Sequence, residues 1–337
     1  MNPVAILSPG YPDRSGGVTD HTARLVRNWT DLNTEVHAIG DMSEQPGALA
    51  ESLARVGVAA LLIQYVPFLY GRRGVSTYPE RLARDARASG IRVCVFVHEP
   101  WVPPTRLPWL VLSPIQRRQL RRLSSECDAV ATPVLAWRAL LGPRTQLAYV
   151  GSTLGVPPAL AQPGPMLPAP CVFSPFAAGL NWDWIAAAVR AIGEGLVIVG
   201  SDQQTAAGNP VLAKYLDLGW DCRGRLAGPD VLNLLGHAHL VLAPYVDGLT
   251  GRRTSAMAAL STGARVLSST GPLFDPAFRD GPVALAASKS EFVAAAQRLW
   301  ATDDPGAARA ERLALYAERL DPQVLDRQLL DLVTGRP

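Results

Sequence analysis

A chain of 337 residues with 48% hydrophobic and 18% charged positions holds enough apolar material for two ordinary α/β cores and excludes a disordered or low-complexity protein. A formal net charge of +3 argues against a general nucleic-acid binder. The cysteines Cys94, Cys127, Cys171 and Cys222 are too dispersed for a zinc site or a disulfide framework, and no metal site is expected.

The basic residues are arginines apart from Lys214 and Lys289, a bias that suggests a GC-rich bacterial genome. Met1-Asn2-Pro3 leads straight into Val4-Ala5-Ile6-Leu7 without the basic region and long apolar stretch of a signal peptide. No segment approaches membrane-spanning length. The expected location is the cytoplasm, with peripheral contact at the inner membrane face left open.

Apolar strand-like runs at 4–7, 34–39, 59–66, 91–97, 129–131 and 146–150 alternate with helix-like stretches at 19–29, 48–55, 79–88, 114–124 and 135–141. Continuous rather than alternating apolar runs are the mark of parallel strands buried on both faces, so the alternation predicts a doubly wound parallel sheet. Prolines then crowd 155–170 and exclude a regular element there. Strand-helix alternation restarts at 171, and from 289 onward the chain reads as helical. The predicted fold class is therefore α/β, with two Rossmann-like doubly wound domains and a cleft between them. The domains expected are 1–155, a linker at 156–170, 171–315, and a helical tail at 316–337.

Three places carry candidate chemistry. Gly16-Gly17-Val18-Thr19-Asp20-His21 lies between the first strand and the first helix. Glycines there let backbone N–H groups approach an anion at a helix start, although the same residues also make an ordinary capped turn. Gln64-Tyr65 and His98-Glu99-Pro100-Trp101 end the third and fourth strands, where open α/β sheets bind ligands. The alternative is a histidine hydrogen-bonded within a loop. The most pointed motif is Asp247-Gly248-Leu249-Thr250-Gly251-Arg252-Arg253-Thr254-Ser255, a glycine-containing loop opening a helix. Guanidinium forks, hydroxyls and free N–H groups suit a diphosphate; a solvated arginine pair beside a helix cap is the plain alternative.

Together these places resemble the large, mostly retaining group 1 (family 4-like) glycosyltransferases of GT-B fold. Gly16-Gly17-Val18 stands where that family has its opening Gly-Gly, His98 where a histidine commonly ends the fourth strand, and Pro244 through Val266 where it has strand, loop, Ala-rich helix and Gly. The resemblance implies transfer of a hexose-type sugar from a nucleotide diphosphate sugar to an acceptor hydroxyl, with retention and without an obligatory metal or further cofactor. It also implies that the tail packs back toward the first domain. Under it, Gly16, Gly17, Asp247, Gly248, Thr250, Gly251, Arg252, Arg253, Thr254 and Ser255 bind the donor, while Gln64, Tyr65 and Trp101 contact sugar or acceptor. His98 and Glu99 hold the reacting sugar; for an inverting transfer, Asp20 or His21 stands as the base.

The departures are specific. The family's two glutamates, eight positions apart, would fall at Thr250 and Ala258, and no basic residue follows the second domain's first strand at 177–182. A related subset carries Asp-Gly, then Arg-Arg, then Thr or Ser, as this chain does. The diphosphate clamp then falls to Arg252 and Arg253. The other readings are a catalytically silent homologue that binds sugars or a partner, a nucleotide-sugar epimerase, and an NAD-dependent dehydrogenase, whose fingerprint is absent. The acceptor is expected to be a saccharide, a lipid-linked or a small molecule. Trp101, Leu107, Trp109 and Leu110, read as an apolar loop, precede Arg117, Arg118, Arg121 and Arg122 on a helix. That pattern is either an interfacial contact with anionic lipid or a packed segment beside a solvated face.

Overall fold

The computed structural model describes residues 3–14, 16–155, 166–174 and 179–336. The chain divides into two compact units, Met1–Val150 with Gln323–Pro337, and Gly151–Pro322.

The first unit runs β1 (Val4–Leu7), α1 (Gly17–Asp31), β2 (Val36–Ile39), α2 (Pro46–Arg55), β3 (Ala60–Tyr65), α3 (Tyr78–Ala88), β4 (Arg92–Val97), α4 (Leu107–Glu126), β5 (Ala129–Thr132), α5 (Leu135–Leu141) and β6 (Thr145–Leu147). Its strands are all parallel, in the order β2-β1-β3-β4-β5-β6. Side chains alternate across a strand, and each face here gathers its own core. Leu7, Ile63, Val95 and Val97 join Leu49, Leu82 and Leu123 of α2, α3 and α4 on one face. Ile6, Leu62, Cys94 and Phe96 join Leu25 and Trp29 of α1 on the other. That second face also takes Leu329, Leu330 and Val333, which belong to the last helix, α12 (Pro322–Thr334). Without α12, part of a fully apolar sheet face would meet water.

A buried ion pair fixes α12 there. Arg24 of α1 donates to both carboxylate oxygens of Asp326 at 2.9 and 2.6 Å, Asn28 donates to the same carboxylate at 2.7 Å, and Trp29 Nε1 donates to the Asp326 carbonyl at 2.8 Å.

Between them, the second unit runs β7 (Cys171–Phe173), α6 (Trp182–Ile192), β8 (Val197–Val199), α7 (Gln203–Gly208), β9 (Asp221–Cys222), α8 (Gly228–Gly236), β10 (Val241–Ala243), α9 (Thr254–Ser261), β11 (Val266–Ser269), β12 (Val283–Ala286), α10 (Lys289–Ala301) and α11 (Gly306–Arg319). Its strands are again parallel, in the order β12-β11-β10-β7-β8-β9.

Three local expectations change. The segment 107–113, read as loop, is the first two turns of α4: Pro108 sits in the first turn, where proline removes no helical hydrogen bond, and Pro114 lies inside the helix instead of starting it. Of the expected linker 156–170, residues 156–165 lie outside the described residues. The remainder is bonded into the second unit, since Leu167 donates its N–H to the His237 carbonyl at 2.8 Å. The chain rejoins the first unit at Gln323 rather than at 316, because α11 stays with the second. There Arg309 donates to the Thr262 carbonyl at 2.7 Å and Arg312 to the Gly263 carbonyl at 2.9 Å, closing the end of α9.

Candidate functional site

In both sheets the chain order reverses at one place: between β1 and β3 in the first unit, and between β10 and β7 in the second. Crevices at the carboxyl ends of strands flanking such a switch point are where open α/β sheets bind ligands.

The Asp247–Ser255 motif stands at the second unit's switch point, after β10. The segment after β7 reaches it: Val246 donates to the Gly179 carbonyl at 2.9 Å, Asn181 donates to the Pro244 carbonyl at 2.8 Å, and Leu180 bridges Tyr245. Arg252 and Arg253 are both hydrogen-bonded ion-pair partners of Asp247. Two guanidiniums against one carboxylate leave the loop with excess positive charge, and each arginine side chain remains about 20% exposed, at 21% and 19%. The Arg253 guanidinium lies 4.4 Å over the Tyr245 ring, and the Tyr245 and Ser255 hydroxyls share a hydrogen bond of 2.8 Å. Burial pushes the Tyr245 phenol up, so it stays a neutral platform. A Cβ on Gly179 would stand 3.6 Å from the Arg253 guanidinium. The arginine head therefore fills ground beside the β7 loop, where the resemblance asks for a basic residue; Ala177 and Ala178 of that expectation lie outside the described residues.

Among the described residues the hydroxyl of Thr250, which is fully buried, and Nε of Arg253 lack hydrogen-bond partners at this place. Buried unpaired polar groups are costly unless a ligand or water meets them. The helix α9 opens at Thr254 without a side-chain cap; its first turn is closed by the Thr254 N–H donating to the Arg252 carbonyl at 3.0 Å and by the Ala256 N–H at the Tyr245 hydroxyl. Gly248 also has a packing task. Its φ is +90°, and a Cβ there would stand 2.8 Å from the Gly271 nitrogen, so it lets the 247–249 and 271–274 loops close on each other. Gly251 is buried. Ala258 is also fully buried.

At the first unit's switch point, Gly16 caps α1 with φ +149°. Among the described residues nothing lies within 4 Å of where a Cβ of Gly16 or Gly17 would stand. The end of β3 and β4 holds a polar cluster. His98 Nε2 stands 2.5 Å from the Gln64 amide oxygen, an acceptor, which puts the imidazole proton on Nε2. His21 meets His98 edge-on at 5.3 Å between ring centres. Gln64 and His21 are fully buried. Among the described residues the His21 ring nitrogens and the Gln64 amide nitrogen find no partner of good hydrogen-bond geometry, although the Gln64 side chain lies close enough to His21 to act on its titration.

Burial drives both imidazoles toward neutrality: His98 falls to about 3, and His21 falls well below the ordinary value, through burial first and then the neighbouring Arg24 charge. The unfolded chain takes up protons near the ordinary imidazole value of about 6.5 and the folded one does not, so this part of the stability is complete above that pH and declines as pH falls toward 3. His98→Gln should make the decline between about pH 6 and pH 4 shallower in thermal melts. An equally steep decline in the variant would show that His98 carries none of it.

Other expected site residues are placed differently. His21, named as a base, is enclosed and held neutral beside Phe96. Tyr65 is core: its side chain is fully buried and its hydroxyl accepts from Gln119 Nε2 at 3.1 Å. Trp101 packs partly against the first core under the Arg117 guanidinium, 4.7 Å from its ring. Asp20 and Glu99 are exposed. Tyr245 and Gly179 had no local signal, because an aromatic eight residues before an arginine and a glycine over seventy residues away form no sequence pattern. Among the described residues no three His, Cys, Asp or Glu side chains gather as a metal site would need.

No family model and no curated protein sequence matches this chain. Solved structures match it along its whole length. A glycosyltransferase from Rickettsia africae ESF-5 is 9% identical with a TM-score of 0.73, over 99% of this chain and 98% of that one. The Anabaena protein HepE, solved in complex with UDP and glucose, is 12% identical with a TM-score of 0.67, over 99% and 100%. A putative UDP-N-acetylglucosamine 2-epimerase from Listeria monocytogenes is 13% identical with a TM-score of 0.55, over 98% and 94%. Identities this low carry the fold and not the activity. The chain has the GT-B fold, two Rossmann-like units of six parallel strands each.

Proposed function

We propose that the protein transfers a sugar, of hexose type, from a nucleotide diphosphate sugar to an acceptor hydroxyl. The observation that carries this reading is the pair Arg252 and Arg253 at the switch point of the second sheet, with excess positive charge and the unpartnered Thr250 hydroxyl at the same place. In the transfer the bond from the sugar's anomeric carbon to the diphosphate oxygen breaks and a bond to the acceptor oxygen forms. The acceptor's proton leaves with the diphosphate or to solvent. Negative charge grows on the leaving diphosphate, so fixed guanidiniums there favour the transition state over the ground state. That makes a metal dispensable. In a retaining course no strong base is required.

One observation favours a second reading, binding without turnover: Thr250 and the buried Ala258 stand where the resemblance puts two carboxylates. Incubation with a panel of nucleotide sugars and candidate acceptors separates the readings. Release of nucleoside diphosphate that depends on acceptor is the expected result. Tight binding without release favours the silent homologue, and conversion of the donor to its epimer would replace the proposal with an epimerase.

A further inference from the structure

We propose that the outer face of α4 in the first unit docks on an anionic phospholipid bilayer. The buried side of α4 is set by Ser113, Gln116, Gln119, Leu120 and Leu123. Gln116 accepts from the Val102 N–H at 2.9 Å and Gln119 from the Ser76 N–H at 2.7 Å, so the helix is held to its own unit and its outer side is fixed. That outer side begins as an apolar strip. Leu107 is 82% exposed, Leu110 52%, Val111 63% and Ile115 42%. Spacings of three and four residues keep these side chains on neighbouring turns of one face. The face then turns basic at Arg118, Arg121 and Arg122, all exposed. Arg106 precedes the strip, its guanidinium 4.8 Å over the half-buried Trp109 ring. The helix carries no acidic residue before Glu126.

Exposed large apolar side chains in a row mark a contact, and the charge pattern selects the occupant. Guanidiniums before and after an apolar strip match phosphate headgroups around acyl chains, with the strip dipping into the boundary and the arginines reaching the headgroups. No helix among the described residues is long and apolar enough to cross a membrane, so α4 would lie on the bilayer. A second copy of the chain fits less well. Twofold pairing over this face would set the arginines against their own copies or against the partner's leucines, and the one carboxylate of α4, Glu126 in its last turn, is already paired with Arg84 at 3.3 Å. This inference is independent of the transfer reaction, because it concerns a surface and uses no donor residue.

The test is co-sedimentation of the full chain with phosphatidylcholine vesicles, with and without phosphatidylglycerol. Binding is expected only with phosphatidylglycerol, and it should weaken as salt rises. Changing Arg118, Arg121 and Arg122 to Gln together should lower partitioning on the order of a hundredfold. Leu110→Ser with Val111→Ser should lower it roughly tenfold at an unchanged melting temperature, since both side chains already face solvent. No sedimentation with phosphatidylglycerol vesicles at low salt overturns the proposal, as does partitioning unaffected by both sets of changes. A dimer that dissolves in the Leu110/Val111 variant, without vesicle binding by the parent, assigns the face to a second copy and likewise overturns it. Sugar nucleotide is absent throughout, so neither result bears on the proposed transfer.

Discussion

Replacing Arg253 with alanine is expected to weaken nucleoside diphosphate binding roughly tenfold to 150-fold, the equivalent of about 1.5–3 kcal/mol for hydrogen bonds to a charged group. Titration calorimetry with the full chain reads it directly. The side chain is positioned before any ligand arrives: Tyr245 lies under the guanidinium and Asp247 holds one edge. Little rotamer freedom is left to lose on binding, which favours the upper part of the range. Arg252→Ala should act in the same direction, since it shares Asp247. Arg253→Lys keeps the charge but loses the planar fork, and should fall between the alanine variant and the parent. Unchanged affinity in both alanine variants would remove the diphosphate from this loop. The arginines would then be a structural triad with Asp247.

Asp326→Ala should destabilise the first unit by about 3–5 kcal/mol, the usual cost of leaving one partner of a buried ion pair uncompensated. The carboxylate accepts from Arg24 and Asn28, and Arg24 and Asp326 side chains are each only 2% exposed. Removing it strands a buried guanidinium between α1 and α12. Urea unfolding followed by tryptophan fluorescence suits the measurement, because Trp29 is fully buried and bonds to the Asp326 backbone. Arg24→Met with Asp326→Leu should recover most of the loss, since an apolar pair of similar volume needs no counter-charge. A cost under about 1 kcal/mol for Asp326→Ala would mean that water reaches Arg24 and that α12 is held mainly by Leu329, Leu330 and Val333 and the Trp29 bond to the residue 326 carbonyl.

The sequence by itself determined the two parallel sheets, because strands buried on both faces must be written as continuous apolar runs such as Ala60–Tyr65 and Arg92–Val97. It also determined where the glycine-containing turns at the strand ends fall, since Gly16-Gly17 and the Asp247–Ser255 loop are local in the chain. Three things were decided only by the tertiary structure. Arg24 finds Asp326 across 302 residues, a pairing that no period encodes; it exists because α12 is needed to cover the second face of the first sheet. Arg253 stands beside Gly179 because β10 and β7 are neighbours in the sheet though not in sequence. Which side chains are turned inward at strand ends was equally hidden. Tyr65 and Gln64 are adjacent in sequence, yet Tyr65 joins the core under α4 while Gln64 turns to the opposite face and holds His98, because the pleat alternates and only the packed helices say what each face meets.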